Sequence, residues 1–524
     1  MKVSIVRRYE SKLGDSDFHP YRTGAWTPNT VELDATDLDV IEGEIPRDLQ
    51  GIYLRNTENP LFEAITGRYH PFDGDGMVHA IRFREGRAEY RNRFVKTAGL
   101  LSELEAGCAL WAGILESPDV SQRDGWGART RMKDTSSTDI LVHRGEALTT
   151  FYQCGDAYRL DPYTLETRGT VHWSEQAEGN PGVRGVFPKG ATVSAHPKVD
   201  AQTGELLFFN YSKEAPFLHF GVVDTEGRLA RYLPVALPGP RLPHDMAFTE
   251  HYAIINDFPM MWDPARLAKN QHRPVYRPEL GSRFALVRRD GTGTVRWFEA
   301  SPTYVLHFSN AYEEGDEIVL EGFHQGAPVP KLLEGETAID AFRKSLDMHE
   351  LKTRLHRWRF NLVTGRTHEA FLDDEVSEFP TIDNRVGGRK HRTVIAMTGE
   401  PGHFLFNGMV AYDLARGSKQ SYRFPEGVFA SESPIAPRTG ARDEADGYVV
   451  TFVSDVRNDG SECQLFEAGD IARGPIARIR LPHRISSGTH ATWVSEADLA
   501  NAGAEGPRRT LGAASGAGRS SERQ

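Results

Sequence analysis

Residues 195–211 read Ala195-His-Pro-Lys-Val-Asp-Ala-Gln-Thr-Gly-Glu-Leu-Leu-Phe-Phe-Asn-Tyr211. A histidine stands in its own short signature, a turn follows, and a run of apolar and aromatic residues reads as a strand. Three more histidines sit in comparable settings: His244 in Leu242-Pro-His-Asp-Met246, His307 in His307-Phe-Ser-Asn-Ala-Tyr-Glu313, and His490 in Gly488-Thr-His-Ala-Thr-Trp493. Intervals this long exclude a local metal finger. The four imidazoles meet only if distant strands are brought to one axis. Neutral nitrogen donors suit zinc, copper, iron and nickel. Four of them without a thiolate point away from a structural zinc knot.

Outward from that stretch, short strands and turns continue from about Val31 to Val494. Gly51–Arg55, Met77–Phe83, Tyr252–Ile255, Glu317–Leu320 and Gly447–Val453 are further examples. Fifty glycines and 30 prolines supply the turn chemistry. Two stretches read as helical insertions, Leu100–Leu115 and Gly335–Leu351. An all-β class follows, as a sandwich array, a large barrel or a propeller. A seven-bladed propeller needs roughly 65 residues per blade. No Walker or dinucleotide glycine fingerprint follows a strand.

Composition narrows the class. The chain has 524 residues, of which 39% are hydrophobic and 26% charged, as in a globular protein. A formal net charge of −11 argues against a nucleic-acid partner. Three cysteines fit a reducing compartment without a disulfide framework. No segment approaches the ~20 apolar residues of a membrane span, and the N-terminus turns polar too soon for a secretory signal. The expected location is cytoplasmic. Residues 1–30 read as an N-terminal extension, 31–500 as the folded unit and 501–524 as a disordered tail.

Nine motifs in order carry a resemblance. They are Gly51-Ile-Tyr-Leu-Arg-Asn56, Phe72-Asp-Gly-Asp-Gly-Met-Val-His79, Tyr158-Arg-Leu-Asp-Pro162, Ala195-His-Pro-Lys-Val-Asp200, His244-Asp-Met-Ala-Phe248, Asn310-Ala-Tyr-Glu313, Glu378-Phe-Pro-Thr-Ile-Asp383, Glu432-Ser-Pro-Ile-Ala-Pro-Arg438 and Gly488-Thr-His490. With them the chain resembles the carotenoid cleavage oxygenase family. The resemblance implies a seven-bladed β-propeller with a helical and loop dome enclosing an apolar tunnel. It implies one Fe(II) per chain, held by His196, His244, His307 and His490, with O2 as cosubstrate. The family's reaction splits a carbon–carbon double bond into two carbonyl products.

The family also places glutamates behind the second, third and fourth histidines. The resemblance puts Glu378 behind His307 and Glu432 behind His490. Where the first glutamate belongs, this chain has Gln153. A glutamine carbonyl still accepts the N–H of His244 but adds no charge, so the site is expected to be one unit more positive.

The resemblance implies a lipophilic conjugated alkene as substrate. In the family's phenolic branch a lysine and a tyrosine clamp the 4-hydroxyl group. Here the lysine position is Tyr152, and the segment Leu100–Leu115 holds no tyrosine. The reading therefore favours a carotenoid or apocarotenoid over a stilbene or propenylphenol, with Lys133 or Tyr152 as an alternative clamp. Leu100 and Leu101 are candidate tunnel residues. Their segment reads as a helix packed on the propeller or as an apolar lip making a weak contact with a membrane surface. Two other classes are a non-catalytic metal-binding propeller and an ester-cleaving isomerohydrolase. A monomer or small homo-oligomer is expected.

Asp73-Gly-Asp-Gly76 reads as a tight turn, not a calcium loop. Asn310 and Glu313 read as structural, and Arg55 and Arg438 as caps on buried carbonyls.

Overall fold

The computed structural model describes the chain except residues 15–18, 125–130, 189–191, 270, 273 and 506–524. Its strands form seven antiparallel blades around an axis, so the propeller is the architecture present. The first blade is closed by the C-terminal strand Gly488–Ser495, which pairs with Gly51–Asn59 and sets Trp493 opposite Tyr53. The second to fourth blades are four-stranded sheets beginning at Asp139–His143, Lys198–Val199 and Met246–Phe248. The fifth begins at Val305–Glu314 and passes into the sixth through the long strand Thr367–Thr381. The seventh is built on Ile435–Pro437 and Gly447–Asp455.

Each blade buries both faces against its neighbours, so its central strands read as continuous apolar runs. Leu206–Tyr211 and Leu218–Val223 are buried at every position. Ring closure needs close strand approach. A Cβ on Gly488 would lie 2.6 Å from Thr57 Cγ2 and 2.7 Å from the Asn56 carbonyl oxygen, so glycine is required there. Arg55 locks the same seam, donating to the Ser486 carbonyl at 2.7 Å and to Ser431 Oγ at 3.0 Å.

Arg438 departs from its expected role. It pairs with the carboxylates of Asp446, Glu467 and Asp48 on a half-buried surface. Asn310 donates to the Arg389 carbonyl and accepts from Gly388 N–H, holding a loop. Glu313 accepts from Thr249 and His251. In the Asp73-Gly-Asp-Gly76 motif, Asp73 ends a 3-10 turn, Pro71–Asp73, and Asp75 opens the strand Asp75–Arg84.

The insertions are shorter than their composition suggests. The first helix runs over Ala98–Ala106 and stops at Gly107 in the left-handed conformation. The second region divides into Ala338–Lys344 and Met348–Leu351. The N-terminal extension adds an edge strand, Lys2–Arg8, against Val31–Thr36. A last helix, Glu496–Glu505, reaches into the stretch expected to be tail, whose remainder lies outside the described residues. Among the described residues no helix is long and apolar enough to cross a membrane.

On the fifth blade, His324 and His356 face each other with ring centroids 4.9 Å apart, and both Nδ1 atoms are buried without a protein partner. Burial pulls their pKa values down to about 4 and about 3, with Arg354 acting the same way on both and Glu369 opposing it at His324. The unfolded chain, with histidine near 6.5, therefore binds more protons than the folded one below that pH. Stability is complete above about pH 6.5 and is lost as the pH falls through the window to about 3–4, by at most about 1.4 kcal/mol per pH unit for each proton taken up. A thermal-melt series should show this slope, and His356→Gln should flatten part of it. An unchanged slope in that variant would remove this pair from the acid response.

Candidate metal centre

The axis-side strands of four blades, or the residues just before them, deliver the histidines to the axis. His196 precedes Lys198–Val199 in the third blade, and His244 precedes Met246–Phe248 in the fourth. His307 lies in Val305–Glu314 of the fifth, and His490 in Gly488–Ser495 of the first. In both of these strands the pairing register shifts across the histidine, and such irregularities re-aim a side chain. His196 has φ +62°, a left-handed conformation held by its surroundings.

The four imidazoles converge. Ring centroids are 4.9 Å apart for His196–His244, 5.0 Å for His196–His307, 4.5 Å for His196–His490, 5.2 Å for His244–His307 and 4.6 Å for His307–His490. Nε2 of His196 lies 3.2 Å from Nε2 of His244, and His307 Nε2 is buried with no protein partner. Nitrogen atoms from His196, His244 and His307 lie within 4.8 Å of one another. Burial, followed by mutual repulsion within the quartet, holds the pKa values of these three histidines well below 6.5. At His490 burial is again the largest effect and acts in the same direction, but the Glu432 carboxylate, joined by Asp139, opposes it and the net shift is upward. Buried imidazole nitrogens that face one another, one of them with no protein partner, fit a metal cation.

Carboxylates reach the outer nitrogens from adjacent blades. Glu378 Oε2 lies 2.6 Å from His307 Nδ1 and accepts Phe379 N–H at 2.5 Å. Glu432 Oε2 lies 3.3 Å from His490 Nδ1 and accepts Ala491 N–H at 2.6 Å. Burial pushes the Glu378 pKa up to about 8 in the metal-free protein, and a cation held by the quartet would pull it back down toward the carboxylate.

Gln153 differs from expectation. Its Oε1 is buried and accepts no hydrogen bond, so the link to His244 is not made. The turn Phe151–Cys154, closed by Cys154 N–H on the Phe151 carbonyl, instead brings the Tyr152 ring to 5.5 Å from His244. The expected extra positive charge does not follow either. Asp139, absent from the sequence reading, lies 3.0 Å from His196 Nδ1. Glu58 was also missed. It is fully buried, accepts from Thr489 Oγ1 at 3.1 Å, and burial lifts its pKa to about 8.

An aromatic wall covers the quartet. Phe379 lies 4.8 Å from His307 and 4.9 Å from His490. Phe404 continues from Phe379 at 6.2 Å, and Phe72 joins Phe404 to Tyr152 at 5.8 Å on each side. Outside this wall Trp26 stacks on Phe404, while Tyr21 packs between Trp26 and Phe342 of the helix Ala338–Lys344. No spacing rule in the sequence marks these rings.

The other candidates lie elsewhere. Leu100 is fully buried with Tyr9, Leu61, Met77 and Phe94, and Leu101 is half exposed on the outer side of the helix. Lys133 is held by Asp75 at 2.7 Å and Glu103 at 2.6 Å, both buried, so its charge is already matched.

The profile described as Retinal pigment epithelial membrane protein matches residues 26–495. The chain is 30% identical to carotenoid 9,10(9',10')-cleavage dioxygenase 1 of Arabidopsis thaliana, over 91% of this chain and 90% of the relative. It is also 30% identical to isoeugenol monooxygenase of Pseudomonas nitroreducens, over 91% and 98%. The crystal structure of Pseudomonas brassicacearum lignostilbene dioxygenase superimposes with a TM-score of 0.78 at 26% identity, covering 91% of this chain and 99% of that one. An ordered set of motifs, a seven-bladed ring and a family match across nearly its whole length place the chain in the carotenoid cleavage oxygenase family, as an enzyme of its alkene-cleaving dioxygenase class.

Proposed function

We propose that this chain is a non-haem Fe(II) dioxygenase, with one iron held by His196, His244, His307 and His490. It would split a conjugated C=C bond of a carotenoid or apocarotenoid, each carbon taking one oxygen atom of O2 to give two carbonyl products. The observation that carries the reading is the convergence of four buried imidazoles from four blades. When bound, the metal supplies a site for dioxygen and a path for electrons from an electron-rich alkene. The protein's part is positional. Outer carboxylates fix the ring tautomers so that the inward nitrogens present lone pairs. Phe72, Phe379 and Phe404 offer flat apolar surfaces to a planar conjugated chain and keep water from the quartet.

The lean toward a polyene rests on the missing phenol clamp. Lys133 is neutralised by two carboxylates, and a phenol O–H buried without partners costs roughly 1–3 kcal/mol. An aromatic alkene is the second reading, favoured by the Tyr152 ring beside His244. A cytoplasmic location suits three unpaired thiols.

Iron-loaded protein incubated under O2 with β-apocarotenals and, separately, with resveratrol or isoeugenol should convert the apocarotenals at least about tenfold more efficiently by kcat/KM. Products are identified as aldehydes by mass. Turnover of the phenols alone would move the assignment to the aromatic branch. Turnover of neither class by a protein that retains its iron would leave a metal-binding module.

A further inference from the structure

We infer that Asp139 is the positioning residue for His196, and that it restores from a different strand the carboxylate that position 153 has lost. The inference rests on the metal site proposed above. Asp139 opens the strand Asp139–His143, the axis-side strand of the second blade. Its Oδ2 lies 3.0 Å from His196 Nδ1, and its Oδ1 accepts the Ile140 N–H at 2.7 Å, so the carboxylate is fixed at both oxygens. His196 turns Nε2 inward, 3.2 Å from Nε2 of His244, which leaves Nδ1 as the outward nitrogen. This is the same relation as His307 with Glu378 and His490 with Glu432.

The blades share the task. The first, third, fourth and fifth supply histidines. The second, sixth and seventh supply Asp139, Glu378 and Glu432, each to a histidine on an adjacent blade. Residue 153 lies in the turn that follows the next strand out, Glu146–Thr150, and its side-chain oxygen accepts no hydrogen bond. From the axis-side strand a side chain one methylene shorter than glutamate is long enough. Three carboxylates therefore still surround four imidazoles, with His196 supported in place of His244. The carboxylate next to His244 in sequence, Asp245, is occupied by Lys198 at 2.8 Å and the Phe308 N–H at 2.9 Å.

The test reads metal binding without substrate. Fe(II) dissociation constants are measured by chelator competition for the wild type, Asp139→Asn, Asp139→Glu and the double variant Asp139→Asn with Gln153→Glu, alongside melting of each metal-free protein. Asp139→Asn should bind iron about 10–100-fold more weakly with little change in apo-protein melting. Asp139→Glu should recover most of that loss, and Gln153→Glu in the double variant should recover part of it. Wild-type affinity in Asp139→Asn would overturn the inference. So would an equal loss in Asp139→Glu with the apo-protein folded, because charge would then not be the cause. If Asp139→Asn does not fold, Asp139→Glu decides alone, with retained affinity supporting the inference and lost affinity overturning it. A wild-type protein that binds no iron would sink the proposed metal site itself, a distinguishable failure.

Discussion

Alanine at His196, His244, His307 or His490 should leave the purified protein with little or no bound iron and lower alkene cleavage by at least about a thousandfold. The effect should be alike at the four positions, because five of the six ring pairs have centroids 4.5 to 5.2 Å apart and no fifth imidazole stands beside them among the described residues. Folding should survive. Each substitution opens a cavity and, at His307, leaves the buried Glu378 without its partner, which lowers the stability of the metal-free protein without removing the strand pairing and apolar cores that hold the blades together. His219→Ala is the control. That ring is also buried, but it stacks on Tyr232 at 4.7 Å, away from the axis. It should keep full iron content while losing packing. Metal analysis with oxygen-uptake rates makes the comparison. A quartet variant that keeps stoichiometric iron would show that its histidine is not a ligand.

The convergence of the quartet was legible in the sequence because each of its four positions imposes its own local context. Gly488 shows why. It stands two residues before His490 because the closing strand passes too near Thr57 and Asn56 for any Cβ. Such constraints leave short signatures that survive without a textual repeat, which is why blade number needed the family resemblance rather than periodicity. The supports were less legible. Glu378 and Glu432 follow from their motifs, but Asp139 is one polar residue at the start of one strand. Strand alternation assigns it a face and not the neighbouring blade it reaches. Gln153 was misread for a related reason. Motif position puts it behind His244, whereas the local Phe151–Cys154 turn, with Cys154 at φ +64°, presents Tyr152 to that ring instead. The segment 100–115 was overextended as a helix because apolar residues on several faces carry no stop signal. Gly107 supplies the stop, and Glu103 accepts the Leu110 N–H beyond it.

Of the outer carboxylates, Glu378 should matter most. It is fully buried, its Oε2 is 2.6 Å from His307 Nδ1, and the same oxygen accepts the Phe379 N–H. Glu378→Ala should weaken iron binding by about 10–100-fold. It also leaves the Phe379 N–H and the His307 Nδ1–H without their acceptor, which costs roughly 1–3 kcal/mol of stability for each group. Phe379 has φ +54°, and its ring lies 4.8 Å from His307, so loosening its backbone disturbs the aromatic wall as well as the ligand. Glu378→Gln preserves shape and an acceptor oxygen but not charge, and its loss should fall between that of alanine and the wild type. Glu432→Ala should cost less metal affinity than Glu378→Ala, because its oxygen is 3.3 Å from His490 Nδ1 and is committed more closely to the Ala491 N–H at 2.6 Å. Chelator competition on the three variants tests the order. A reversed order would mean that charge near His490, not the short contact at His307, controls how firmly the quartet holds its ion.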